Sequence, residues 1–169
     1  MLVITGMALI KECRGFTPRI GEDCWLAENA TLVGDLVMGD QCSVWFNAVI
    51  RADVNSIKIG NRVNIQDGAV LHCTYEKTKV DIGDNVSIGH NALIHGCNIE
   101  RNVLIGMGSV VMDNCHVQSN AIVAAGAVLL EGTKVESWSI YAGVPAKKVK
   151  TLSEEKFRGE VAVSYTHLR

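Results

Sequence analysis

The chain has 169 residues, 48% of them apolar and only 5% aromatic, with a formal charge of −2. That length suits one domain, and its core must be built from aliphatic and small side chains. The near-neutral balance, with no clustered Lys/Arg tract, excludes a typical nucleic-acid binder. No apolar run approaches the roughly 20 residues of a membrane span.

The opening MLVITGMALI has no basic segment before it and no small-residue cleavage site after it, so it reads as a first strand or coil and not as a signal peptide. From Ile20 onward one pattern governs the chain. Ile20, Leu26, Leu32, Met38, Val44 and Ile50 fall six apart. Ile59, Ile65 and Leu71 resume the pattern, then Ile82, Ile88 and Ile94. After one short step through Ile99 it runs Ile105, Val111, Val117, Val123, Leu129, Val135 and Tyr141. Neither a helix (period 3.6) nor simple strand alternation (period 2) sustains a six. A triangular prism does: each hexad is a short strand plus a turn, and three hexads make a coil whose aliphatic residues point to the axis. Parallel strands stacked about 4.8 Å apart then give a little over six coils, roughly 30 Å of prism.

The expected fold is therefore an all-β solenoid, a parallel β-helix over residues 1–145. Residues 146–169 break the hexad. There Val149, Leu152 and Phe157 are the apolar positions, and Ser153 with Glu154 and Glu155 resembles a helix start, so a short C-terminal helix and a tail are expected. Six cysteines without any sign of secretion are expected to be reduced thiols in a cytoplasmic protein. Cys24 and Cys42, 18 residues apart, should stack as core filling.

Three steps break the period. Ile50 to Ile59 carries three extra residues, Leu71 to Ile82 carries five, and Ile94 to Ile99 is one short. Insertions in a solenoid become loops, commonly on a functional face. With each irregular step counted as one hexad, Arg51, His72 and His95 follow the first residue of the same face on three successive coils. Asp67 and His90 share a position on a different face. Three histidines suit a catalytic zinc, leaving a fourth position for water whose acidity can approach neutral pH. The plain alternative is a set of surface histidines. His116, alone in its hexad, and His167, in the tail, read as bystanders. Cys73 reads as a small packed residue.

The stretch RADVNSIKIGNRVNIQDGAVLH followed by IGHNALIHGC resembles the signature of the gamma-class carbonic anhydrases, a trimeric, left-handed β-helical family. The similarity runs from about Ile20 to the YAGVPAK segment at Tyr141 to Lys147. The resemblance implies a homotrimer that hydrates carbon dioxide reversibly to bicarbonate, with His72 and His95 of one subunit and His90 of a neighbour binding the metal. Zinc is the first expectation, and iron or cobalt also suit three imidazoles. Arg51 resembles the arginine that pairs across the interface with the acid matching Asp67, and Asp53 an interface or hydrogen-bonding residue. Gln66 resembles the amide that orients the reacting oxygen, Asn64 a residue that positions carbon dioxide or supports Gln66, and Tyr141 an active-site tyrosine. A stacked amide ladder for Asn64 and Gln66, and an aromatic plug at Tyr141, are the structural alternatives.

Two departures stand out. The family's most active members carry proton-transferring glutamates where this chain has Val54 and Tyr75, with Glu76 adjacent to the second. Weak hydration activity is therefore expected. The competing readings are a coenzyme A-dependent hexapeptide acyltransferase with His116 as base, and a non-catalytic trimeric module that keeps a metal for stability.

Overall fold

A computed structural model describes residues 8–155 and 157. The chain winds into a β-solenoid of about seven turns, built almost wholly from parallel strands. It is slightly longer than the hexads imply because Leu9–Lys11, ahead of the first hexad, already pairs in parallel with Thr31–Val33. The first face carries Leu32, Ile50, Leu71, Ile94, Val111 and Leu129 in register. The second carries Met38, Ile59, Ile82, Ile99, Val117 and Val135. The third carries Val44, Ile65, Ile88, Ile105, Val123 and Tyr141. From Leu32 to Tyr141 all of these are buried.

Strand alternation adds a second inward position two residues earlier in each hexad. On the first face it holds Ala30, Ala48, Ala69, Ala92, Ser109 and Ala127, all fully buried. Leu36, Ile57 and Val80 occupy it on the second face. Small residues on one face opposite branched residues on another share the limited width of the triangular core. Many corners turn through left-handed backbone, and asparagine takes it at Asn47, Asn85, Asn91, Asn102, Asn114 and Asn120, because its short amide tolerates that region.

The first two faces join through two long strands, Thr31–Met38 and Val49–Ile59, which continue around a prism corner. The register between them shifts at Gly34/Leu36, where the three extra residues bulge out. Gly34 has φ +79°, and a Cβ there would lie 2.2 Å from the Ala52 carbonyl oxygen. Only glycine allows the two coils to meet at that bulge.

The end of the prism differs from expectation. Lys147–Thr151 is a strand, antiparallel to Ser139–Ala142, so Val149 lies in a strand and not in a helix. Leu152 and Phe157 pack with Ile122 on the third face, beside Leu104, Trp138 and Ile140. The Phe157 N–H donates to the Ser153 carbonyl at 3.0 Å, a helix-type bond, and the rest of the expected helix lies outside the described residues. All six cysteines are free, and the Cys42 N–H points at Cys24 Sγ, 3.4 Å away, in the expected stack.

Candidate metal centre

Hydrogen-bonded register places His72 opposite His95 on neighbouring coils of the first face. Their rings approach so that His72 Nδ1 lies 3.2 Å from His95 Nε2. Each remaining ring nitrogen meets a carboxylate. Asp53 Oδ1 lies 3.2 Å from His72 Nε2, and Asp113 Oδ1 lies 2.7 Å from His95 Nδ1. Arg51 donates to Asp53 Oδ2 at 2.6 Å. Asp53 sits in the bulge made by the three-residue insertion, directly after Ala52, where the coil leaves its regular register. That irregularity brings a carboxylate level with His72.

The charges are arranged to keep His72 neutral and both rings oriented. Burial lowers the His72 pKa, the nearby Arg51 charge lowers it further, and the Asp53 carboxylate only partly opposes them. His72 is therefore an uncharged imidazole at neutral pH. Burial alone would raise the Asp53 pKa, but the hydrogen bond and charge of Arg51 outweigh it and hold the carboxyl below its ordinary range. Asp113 is likewise held low, burial being overcome by hydrogen bonds from Thr74 and His95. Ionised carboxylates can only accept, so they favour N–H at the far ring nitrogens, and in neutral rings the lone pairs then lie on the two nitrogens that face each other.

This donor set fits a metal ion. Metal-binding histidines generally give their other ring nitrogen to a carboxylate or carbonyl. Two nitrogens each about 2.0–2.1 Å from a tetrahedral ion lie about 3.3–3.4 Å apart, close to the 3.2 Å found here. No group of three or more His, Cys, Asp or Glu side chains that could hold an ion occurs among the described residues.

His90 lies on the third face, where the register of Ile65 against Ile88 sets it one coil from Asp67. His90 Nδ1 and Asp67 Oδ2 are 2.9 Å apart, both side chains well exposed at 47% and 41%. Within one chain, then, Asp67 pairs with His90 and Arg51 with Asp53. Gln66 lines an open apolar pocket with His90, Leu104 and Met107. Asn64 is buried. Its carbonyl oxygen accepts from Ser43 Oγ at 2.9 Å and from Trp45 Nε1 at 2.8 Å, while its amide nitrogen has no protein partner. Tyr141 takes the inward position over Val123, nearly buried in the core. Three strand spacings, roughly 14 Å, separate it from the Ile88 strand, so one chain does not bring Tyr141 to the histidines.

Val54 packs partly buried against the core, while Tyr75 is exposed with the Arg14 guanidinium 5.2 Å from its ring centre. Both line an open pocket with Asp35, Asp53 and Glu76. His116 pairs with Glu100 at 2.8 Å, which also accepts from Ser119 Oγ at 2.6 Å. His167 lies outside the described residues. Sequence reasoning missed Asp113. It stands 18 residues after His95, but the short step makes that turn 17 residues, with Ile94 in register with Val111, so the coil arithmetic lands on Met112 and Asp113 lies one position beyond.

Residues 96–131 match the model of the bacterial transferase hexapeptide family (six repeats), which with the fold defines a hexapeptide-repeat protein. The chain is 53% identical over 151 residues to a Methanocaldococcus jannaschii protein named probable carbonic anhydrase, covering 88% of this chain and 94% of that one. It is 46% identical to the carbonic anhydrase of Geobacillus kaustophilus, covering 89% and 82%. It is also 47% identical to mitochondrial gamma carbonic anhydrase 3 of Arabidopsis thaliana, covering 90% of this chain and 62% of that one. The chain belongs to the gamma carbonic anhydrase family. Among solved structures, a Bacillus cereus protein provisionally described as an acetyltransferase superposes with a TM-score of 0.91 at 33% identity, covering 96% and 94% of the two chains.

Proposed function

We propose that the protein is a metal-dependent carbonic anhydrase that interconverts carbon dioxide and bicarbonate at sites shared between neighbouring subunits of a homotrimer. The observation that carries this reading is the facing pair His72 Nδ1 and His95 Nε2, 3.2 Å apart with a carboxylate behind each ring. His90 sits on another face of the prism, where it suits a neighbour's pair better than its own. Together these imidazoles would hold zinc, and iron or cobalt would also suit them. When bound there, the ion supplies a Lewis acid that brings the acidity of water close to neutral pH.

The chain's own residues have separable tasks. Asp53 and Asp113 hold the two imidazoles, and Arg51 offsets the Asp53 charge. Gln66, beside His90, offers an amide to orient the reacting oxygen. Asn64 is fixed by Ser43 and Trp45 and supports the Gln66 strand from within. Proton removal is the weak step. Val54 and Tyr75 place no carboxylate in the pocket beside Asp53, and only Glu76 and Asp35 stand there as exchangeable acids. The activity is accordingly low.

The Bacillus cereus likeness supports one competing reading, acyl transfer from coenzyme A. Its base would be His116, which is paired with Glu100 on the second face. One set of measurements separates the readings: metal content and oligomeric mass of freshly purified protein, then carbon dioxide hydration and acetyl-coenzyme A thiol release. About one metal per chain in a trimer with hydration activity supports the proposal. Thiol release from a metal-free protein overturns it.

A further inference from the structure

The five-residue insertion between Leu71 and Ile82 has a purpose that the metal ligands alone do not explain. Its turn is closed by the Lys77 and Thr78 N–H groups, which both lie 3.2 Å from the Thr74 carbonyl. Thr78 is buried, an unusual place for a loop hydroxyl. The Thr74 N–H donates to Thr78 Oγ1 at 3.0 Å, and Thr78 Oγ1 lies 3.2 Å from Asp113 Oδ1. Thr74 Oγ1 donates to Asp113 Oδ2 at 2.5 Å. Asp113 Oδ1 then meets His95 Nδ1.

The direction of this chain of bonds is fixed from one end. A backbone N–H can only donate, so Thr78 Oγ1 accepts from Thr74 and has its single hydrogen left for Asp113. Asp113, with two threonine hydroxyls donating to it, is acceptor-only. The hydrogen on that side of His95 must therefore sit on Nδ1, and in the neutral ring this leaves the Nε2 lone pair towards His72. Gly96 is what lets these groups converge. At φ +55°, its absent Cβ would lie 2.0 Å from Asp113 Oδ1 and 2.2 Å from Thr78 Oγ1. The insertion and the one-residue-short step at Gly96 thus serve the same carboxylate.

We propose that Thr74, Thr78 and Asp113 form a clamp that fixes the tautomer and orientation of His95, making them positioning residues for the metal site. This rests on the reading of His95 as a metal ligand, but the clamp itself operates in the metal-free protein. The clamp also assigns a task to a loop that otherwise looks like a surface insertion.

The test is long-range proton–nitrogen NMR of the metal-free protein at pH 8, together with cobalt(II) affinity by titration of its visible spectrum. The wild type should show His95 protonated at Nδ1. Asp113→Asn should give a mixed or reversed tautomer and bind cobalt about 10- to 100-fold more weakly. Thr78→Val should weaken cobalt binding in the same direction, and Thr78→Ser, which restores the hydroxyl, should recover it; this pair decides the matter if Asp113→Asn does not fold. A His95 Nε2–H tautomer in the wild type, or equal behaviour of Thr78→Val and Thr78→Ser, overturns the clamp. A protein with the Nδ1–H tautomer that takes no cobalt contradicts the metal reading instead and leaves the clamp standing.

Discussion

The first and third faces hold their histidines in opposite ways. His72 and His95 are mostly covered, at 17% and 29% exposure, and each is fixed by a carboxylate that is itself held by Arg51 or by threonine hydroxyls. His90 is about half exposed and meets one equally exposed aspartate. A side chain left with one exposed partner gains little from that pair and keeps its rotamer freedom. The contrast separates two organised imidazoles, each held by a carboxylate, from one exposed imidazole, which is the division of donors that the proposed shared site requires.

The largest expected effect comes from removing the organised half. His95→Ala or His72→Ala should abolish stoichiometric metal binding, yet leave the β-solenoid signal in circular dichroism, because the aliphatic hexads make the core. His90→Ala should also lose metal while leaving the His72–His95 contact intact. Loss of the β signal in any of the three would mean that core has been mistaken for site.

Gly96→Ala should come next. Its Cβ would meet Asp113 and Thr78 well inside contact distance, and left-handed backbone adds strain of about 1–3 kcal/mol. Thermal unfolding should shift down by several degrees and metal affinity should fall with it. An equivalent change at Gly108, where nothing lies within 4 Å of a Cβ despite a similar φ of +63°, should cost only the backbone strain and spare the metal. Equal metal loss in both variants would count against a special role for the Gly96 corner.

Acid should distinguish the faces as well. The His72 pKa is lower folded than unfolded, so below the ordinary histidine value of about 6.5 the unfolded chain takes up a proton first. Stability of the metal-free protein should be level above that pH and fall as the pH drops through the histidine range. Asp53 and Asp113, both depressed, add stability that is complete above about pH 4 and is lost as the pH falls further. His72→Gln should remove the first decline and keep the second, as followed by unfolding midpoints from pH 8 to pH 3. The smallest effect expected is a gain: Val54→Glu with Tyr75→Glu should raise carbon dioxide hydration by placing carboxylates beside Asp53. No gain in a folded, metal-loaded double variant would show that proton transfer is not limiting.

How much of this was legible depended on what kind of force decides each part. The hexads were plain because every coil repeats the same burial, and His72 and His95 aligned because insertion lengths can be subtracted from a fixed turn. The Thr74–Thr78–Asp113 chain was harder to see. Hydroxyl and carboxylate partners across coils follow no hydrophobic period, and the short step before Ile99 displaces Asp113 by one position relative to the register of Ile94 with Val111. Lys147–Thr151 was misread for a related reason. All five residues are exposed, so no burial pattern marks the strand, and pairing with the free edge of Ser139–Ala142 decides its conformation. Tyr141 fell on the hexad correctly, and its aromatic ring fills the inward position at the end of the third face.

The central claim, that one chain supplies His72 and His95 and the next supplies His90, is tested most directly by complementation. One variant lacks His90, and the other lacks both His72 and His95, so neither homotrimer can assemble a complete site. Unfolded together and refolded as an equal mixture, a three-fold ring pairs the intact halves at about a quarter of its interfaces. Bound metal should return to about a quarter of the wild-type amount in the mixture and to none in either variant refolded alone. No recovery in a mixture shown to contain mixed trimers would contradict the shared site.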